Sequence, residues 1–423
     1  MGPMICKHSW RAAACALTAV AWLSGFSTSA QALDLLGDYQ KALAYDPTFQ
    51  TALAERQANL ASATQARVAY LPEGNISNQR LQTDTSDRRT LTLTQPLLSL
   101  ERIATFRMAE PREAFAEATF VGKQQDLALR LLKGANAIIL ANENLKLNAA
   151  KMAALDQQAL AAKAKLGLGQ GTITDLRDIE VKAAQAKGQQ LSFKTALDVA
   201  AKQYAAMTGA RPNVAEFVLA QKDRSLLLKS AADYVDLAMQ NNPALQAARY
   251  AERVAELDVD KTTGSLFPTI SATHSQSKSG TTNVQYSGIT VSMPLQAGNF
   301  YARESVQANY LKAKEATRDV EEKTRLEVEK LREQIETGLE LLTIQKDAIA
   351  AAELSLEANQ KSYEGGVRSA VDILNATQTV FQVKSEYVNL LTTLIENTSS
   401  INFHVGNAAL TVFQQVAYFL SNK

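Results

Sequence analysis

The sequence predicts a mainly α-helical chain with a membrane β portion, folded as two copies of one unit. An ordered set of motifs recurs at a nearly constant offset, and two very long stretches carry apolar residues at coiled-coil spacing. Segments alternating at period two interrupt the helical pattern once in each half. Beyond the first 32 residues, no window holds the 18 or so uncharged apolar residues of a membrane helix, so any membrane crossing falls to strands.

The first segment reads as a secretory signal. Lys7 and Arg11 precede an apolar stretch from Ala12 to Gly25, too short for a spanning anchor, and Ala30-Gln31-Ala32 supplies an A-x-A cleavage pattern. Residues 1–32 are therefore expected to be removed, leaving Leu33 as the mature N-terminus. Both cysteines, Cys6 and Cys15, leave with the signal, which excludes disulfides, thiol catalysis and a lipid-bearing N-terminal cysteine. Removing Lys7 and Arg11 takes the 44 basic residues to 42, against 43 acidic ones. That balance offers no electrostatic footprint for nucleic acid.

Asp46-Pro47 and Leu71-Pro72 recur as Asn242-Pro243 and Phe267-Pro268 with the same spacing. Gln95-Pro96 answers Met293-Pro294, and the turn Gly169-Gln-Gly-Thr-Ile-Thr-Asp175 answers Gly366-Val-Arg-Ser-Ala-Val-Asp372. The chain thus divides into a first repeat over 33–210, a linker or equatorial segment over 211–230, a second repeat over 231–406 and a partly apolar helical tail over 407–423. Each repeat carries a β-hairpin, at 73–98 and at 269–295. In the first, Leu91 and Leu93 alternate with threonines, and in the second Ile289, Val291 and Met293 alternate with Thr290 and Ser292.

Long helices are expected over roughly Leu100 to Leu166 and Asn299 to Tyr363, the latter with a seam at Val328, Leu331, Ile335, Leu339 and Leu342. At 1.5 Å per residue each is on the order of 100 Å long, which demands side-by-side packing against similar helices. Pro111 is expected to break or kink the first of them, because its ring removes a donor and clashes with the preceding turn. Gly167, Gly169 and Gly171 in one half, and Gly365 and Gly366 in the other, mark helical-hairpin tips.

Four strands cannot close a barrel, and in a bilayer every open edge leaves backbone groups unsatisfied. Several chains must share one barrel. Two would supply eight strands and a filled interior, whereas three supply twelve and leave room for water.

The duplicated layout, the hairpins ending at Gln95-Pro96 and Met293-Pro294, and the run Ser362-Tyr-Glu-Gly-Gly-Val-Arg-Ser-Ala-Val-Asp-Ile-Leu-Asn375 resemble the TolC family over nearly the whole mature chain. The resemblance implies a homotrimer in which a twelve-stranded β-barrel in outer-membrane lipid continues into an α-helical coiled-coil barrel. The partners it implies are a periplasmic adaptor (membrane fusion) protein and an inner-membrane ABC or other pump. It also implies a closed periplasmic end held by polar links, with acidic rings that select cations. By motif, Tyr363 and Arg368 match the linking tyrosine and arginine, Asp175 the aspartate they meet, and Asp372 the first ring aspartate. The second ring position holds Asn375, which leaves one ring neutral and puts strong cation selectivity in doubt. Gly169, Gly171, Gly365 and Gly366 match turns on which adaptors dock. Read from the residues alone, Asp175 and Asp372 equally suit the capping of the helices that follow each turn; both roles stay open.

No catalytic set emerges. Gly167-Leu-Gly-Gln-Gly171 follows a helix rather than a strand and lacks a nucleotide-loop spacing. His274 and His404 lie far apart without a cysteine, so no metal site or cofactor is implied. The expected function is a passive outer-membrane exit duct for type I protein secretion, a preference resting on the run Val371-Asp-Ile-Leu-Asn375. A multidrug or small-molecule efflux exit is the alternative, and a pore-less periplasmic coiled-coil scaffold is the rival from another class.

Overall fold

The computed structural model describes residues 33–80, 87–219, 228–294 and 298–420. The expected signal peptide lies outside them, as do residues 81–86 of the first hairpin, 220–227 of the linker and Leu295. Two helices open each half, α1 (Leu35–Tyr45) and α2 (Pro47–Arg67) in the first. The hairpin β1 (Glu73–Gln79) and β2 (Arg88–Leu98) follows, then α3 (Leu100–Arg107), α4 (Ala109–Gly167) and α5 (Ile173–Thr208). The second half repeats the order with α6 (Ala231–Asn241), α7 (Pro243–Gly264), β3 (Thr269–Ser279), β4 (Thr282–Ser292), α8 (Gly298–Glu364) and α9 (Ala370–His404), before a tail helix, α10 (Ala409–Leu420).

The Asp-Pro and Asn-Pro motifs start helices. Asp46 and Asn242 are N-caps, accepting from the N–H of Phe49 at 2.7 Å and of Leu245 at 3.1 Å, and each following proline occupies the first turn, where no donor is needed. The two caps are then held differently. The buried Asp46 carboxylate takes a two-pronged pair from Arg130 at 3.1 Å on each arm. The Asn242 amide instead donates to the His404 carbonyl at 3.2 Å. Burial pushes the Asp46 carboxyl up, but Arg130 and the Phe49 N–H outweigh it and hold its pKa below the ordinary range.

Pro111 breaks the first long helix, as its ring chemistry predicts. The helical run from Leu100 is divided at Met108, three residues before the proline, which sits in the first turn of α4. Residue 111 has no N–H to give the Arg107 carbonyl, so α3 ends there and the helix restarts at Ala109. The 59 residues of α4 and the 67 of α8 confirm two very long helices. Val328, Leu331 and Ile335 of the expected seam are buried against Ala238 and Leu394, with Leu339 and Leu342 packed beside them. A second core joins Leu35 and Tyr39 to Leu127, Leu131 and Ile138, and the tail seals it with Val412, Phe413 and Val416.

The four strands form one antiparallel sheet in chain order, so the two hairpins meet along β2 and β3. Partners opposite one another share a face. One face carries Ile76, Leu91, Leu93, Ile289 and Val291 together with His274, Gln276, Gln285 and Ser287; the other carries Thr90, Thr92, Ser271, Thr273, Ser275 and Ser277, with Val284 and Tyr286 on β4. Thr90 donates to Ser277 at 3.2 Å, and Thr92 and Ser275 share a hydrogen bond at 3.3 Å across the polar face. The apolar face is uncovered, with Ile76 82% and Ile289 71% exposed. Pro96 falls past the last β1–β2 pair and beside the register shift between Pro96 and Leu98, where its missing donor disrupts no ladder. Met293 lies just beyond β4. Among the described residues, no helix is long and apolar enough to cross a membrane.

Asp46→Ala removes both cap and ion pair, and it is expected to destabilise the α2–α4 junction by about 3 kcal/mol. Amide exchange at Phe49 and Gln50 reads that loss, and Asp46→Asn, which keeps the cap, should lose less. Because the folded pKa is depressed, this stabilisation is complete above the unfolded carboxylate value of about 3.9 and disappears as pH falls through the folded value.

Candidate functional site

The two helical-hairpin tips are built alike. Helix α4 ends in a Schellman motif, with Gly169 N–H on the Leu166 carbonyl at 3.0 Å and Gln170 N–H on Lys165 at 2.9 Å. Helix α8 ends the same way, with Gly366 N–H on Tyr363 at 3.1 Å and Val367 N–H on Ser362 at 2.9 Å. Gly169 and Gly366 take φ of 72° and 74°, left-handed values that disfavour a side chain. Gly171 and Gly365 do not; Gly171 is needed for space, since a Cβ there would come within 3.2 Å of the Leu166 nitrogen.

Each return helix begins with a capping box. Thr172 caps α5 by accepting from the Asp175 N–H at 3.2 Å, while the Asp175 carboxylate accepts from the Thr172 N–H at 3.4 Å. Ser369 and Asp372 repeat the exchange on α9 at 3.3 and 3.0 Å, and the Ser369 hydroxyl adds a bond to Asp372 at 2.9 Å. Both aspartates thus stand at the third helical position, where the helix dipole also favours negative charge. The Ser369 N–H and hydroxyl, then the Arg368 guanidinium, hold the Asp372 carboxyl below the usual carboxylate range.

Within the chain, Arg368 lies 3.7 Å from Asp372, one helical turn on. Among the described residues, no hydrogen bond joins Asp175 to Tyr363 or Arg368. Tyr363 is instead gripped by Lys165, whose ammonium sits 3.6 Å from the ring centroid and donates to the Tyr363 carbonyl at 3.4 Å. Burial, then the charge of Asp175, pushes the Tyr363 phenol up. A groove of about 400 Å³ lined by Gln158, Lys165, Ile179, Tyr363 and Ile373 separates the four helix ends. Lys165 escaped the reading of the sequence, where a lysine in the last turn of a helix looks like ordinary dipole compensation.

Asn375 is exposed one turn beyond Asp372. Thr379, Gln382 and Glu386 continue the stripe at three-and-four spacing, all exposed. The opposite side of α9 meets α4 in polar rungs: Gln158 donates to Thr377 at 3.0 Å, Ser385 to Asn144 at 2.6 Å and Asn136 to the Thr392 carbonyl at 3.2 Å. These rungs join the two repeats.

A four-stranded sheet with a Ser/Thr-rich face and a face bearing exposed Ile, Leu and Val, set on helices of nearly a hundred ångströms, defines a class of protein: an outer-membrane channel with a periplasmic extension. The model of the family described as outer membrane efflux protein matches residues 234–407. The alkaline protease secretion protein AprF of Pseudomonas aeruginosa is 26% identical, over 91% of this chain and 88% of its own length. Outer membrane protein TolC of Escherichia coli is 24% identical, over 91% and 84%. The solved structure of VceC from Vibrio cholerae superposes with a TM-score of 0.76 at 16% identity, covering 89% of this chain and 96% of that one. In sequence over most of its length and in fold, the chain is similar to the TolC family of outer-membrane efflux and secretion channels. It is accordingly an outer-membrane channel homologous to exit ducts for secretion and efflux.

Thr172→Ala and Ser369→Ala each remove one reciprocal bond and should cost about 1 kcal/mol locally. Amide exchange in the first turns of α5 and α9 should accelerate about fivefold while that of α4 is unchanged; no acceleration would show that the boxes do not hold the tips.

Proposed function

We propose that the mature chain is one subunit of a homotrimeric exit duct for type I protein secretion, opened at its periplasmic end by an adaptor and an inner-membrane pump. The observation that carries the oligomer is the sheet: β1 and β4 each leave one edge unpaired, and only pairing between copies satisfies those edges in a bilayer. Three copies supply twelve strands, enough for a water-filled lumen lined by the Ser/Thr face. Protein cargo is supported by AprF, whose name assigns it to alkaline protease secretion. Small-molecule efflux is the second reading, favoured by the efflux description of the family model.

In this reading the tips form the resting closure. Three copies of Asp372 stand at the narrow end, each oriented by its capping box, and Asn375 supplies a neutral polar ring beyond it. Arg368, Asp175 and Tyr363 link neighbouring helix pairs, and Lys165 fixes the Tyr363 ring through a contact of about 0.5–2 kcal/mol. The glycine turns at Gly169, Gly171, Gly365 and Gly366 present the surface on which the adaptor docks.

Arg368→Ser and Lys165→Met should each raise the resting single-channel conductance in planar bilayers, and wild-type conductance in both would remove these residues from the closure. A strain lacking the protein should lose one large secreted protein while its sensitivity to small toxic compounds stays at the parental level. Broad hypersensitivity with normal secretion would replace the secretion reading with the efflux one.

A further inference from the structure

The outermost row on the apolar face of the sheet, at the end remote from the helices, runs Asn78, Arg89, Lys278, Asn283 across all four strands. The next row inward holds Ile76 and Leu91 on β1 and β2, then Gln276 and Gln285 on β3 and β4. Two cations therefore stand directly opposite one another on neighbouring strands, Arg89 beyond Leu91 and Lys278 beyond Gln276. Both are exposed, and neither side chain forms a hydrogen bond or an ion pair with any described residue. Nearby Arg80, by contrast, pairs with Asp87 at 3.8 Å. No acidic residue occurs in β2, β3 or β4, and the one in β1, Glu73, lies at the helix end of the sheet.

Like charges placed opposite in a strand pair repel, so this arrangement weakens the sheet unless an anion sits between them. Position identifies the anion. From Ile270 to Lys278 the strand rises roughly 26 Å at about 3.3 Å per residue, and a tilt of about 40° shortens this to roughly 20 Å of membrane depth. An apolar barrel band is about 25 Å tall, which puts the cation row at its outer rim. Since the helices extend into the periplasm, that rim faces the external leaflet.

We propose that Arg89 and Lys278 form a binding site for the phosphate headgroup of an anionic lipid in the outer leaflet. Arg89 bonds two phosphate oxygens in fork geometry, Lys278 supplies a point charge, and the Asn78 and Asn283 amides reach the polar groups beside the phosphate. The site occurs once per chain. Bound lipid neutralises the cross-strand repulsion and ties the barrel to the leaflet. The inference rests on the reading of the sheet as part of a membrane barrel.

The test uses the full chain in nanodiscs of phosphatidylcholine with one tenth phosphatidic acid, with lipid retention read by native mass spectrometry and conductance by planar bilayers. Wild-type protein should retain phosphatidic acid selectively, one per chain. Arg89→Gln with Lys278→Gln should lower that selectivity at least tenfold, while Arg89→Lys keeps most of it. Equal retention in wild type and the double variant would overturn the site. Displacement by millimolar inorganic phosphate would overturn the lipid assignment, leaving a site for free phosphate. A conducting channel without lipid selectivity sinks this inference alone, whereas a chain that never conducts sinks the proposed duct itself.

Discussion

The backbone of a strand cannot sit unpaired in hydrocarbon, and that constraint governs the rest of this molecule. A chain contributing four strands has two open edges, one on β1 and one on β4. Neither can be blunted with charge or covered by a helix without losing the pore. The proposed assembly with other copies meets that demand, while the bare Ile76, Ile289 and Val291 suit the side that would face lipid. The split of the sheet into an apolar and a polar face follows from the same requirement, since one side meets lipid and the other meets water.

Below the sheet, the problem changes from satisfying edges to ending very long helices. Both tips solve it with one device, a Schellman motif followed at once by a capping box. The orphan carbonyls of the outgoing helix and the orphan amides of the returning one are satisfied within about ten residues. Asp175 and Asp372 belong to that device. The proposed aperture role does not compete with capping: the bonds that hold Asp372 in the box favour its charged form.

The duplication is tight in backbone and loose in chemistry. Equivalent caps at Asp46 and Asn242 start equivalent helices, yet one is anchored by Arg130 and the other by His404. The joint between repeats is polar, through Asn136, Asn144 and Gln158 on α4. Such rungs fix the sliding register of two long helices, which apolar contacts alone leave degenerate.

Much of this was legible in the sequence, because it depends on local rules. Paired Pro motifs, alternation at Leu91 and Leu93, the seam at Val328 to Leu342 and the glycine turns are all set by residues within a few turns of one another. The break at Met108 could be placed only within a turn, since a proline disturbs the residues before it. Tertiary structure alone decided which distant residues come together: Arg130 with Asp46 across 84 positions, Lys165 with Tyr363 across 198, and, opposite one another in the sheet, Arg89 with Lys278. Periodicity fixes the face a residue occupies, but the register of one element against another is a global property. It is settled only when every backbone edge and buried polar group finds its partner.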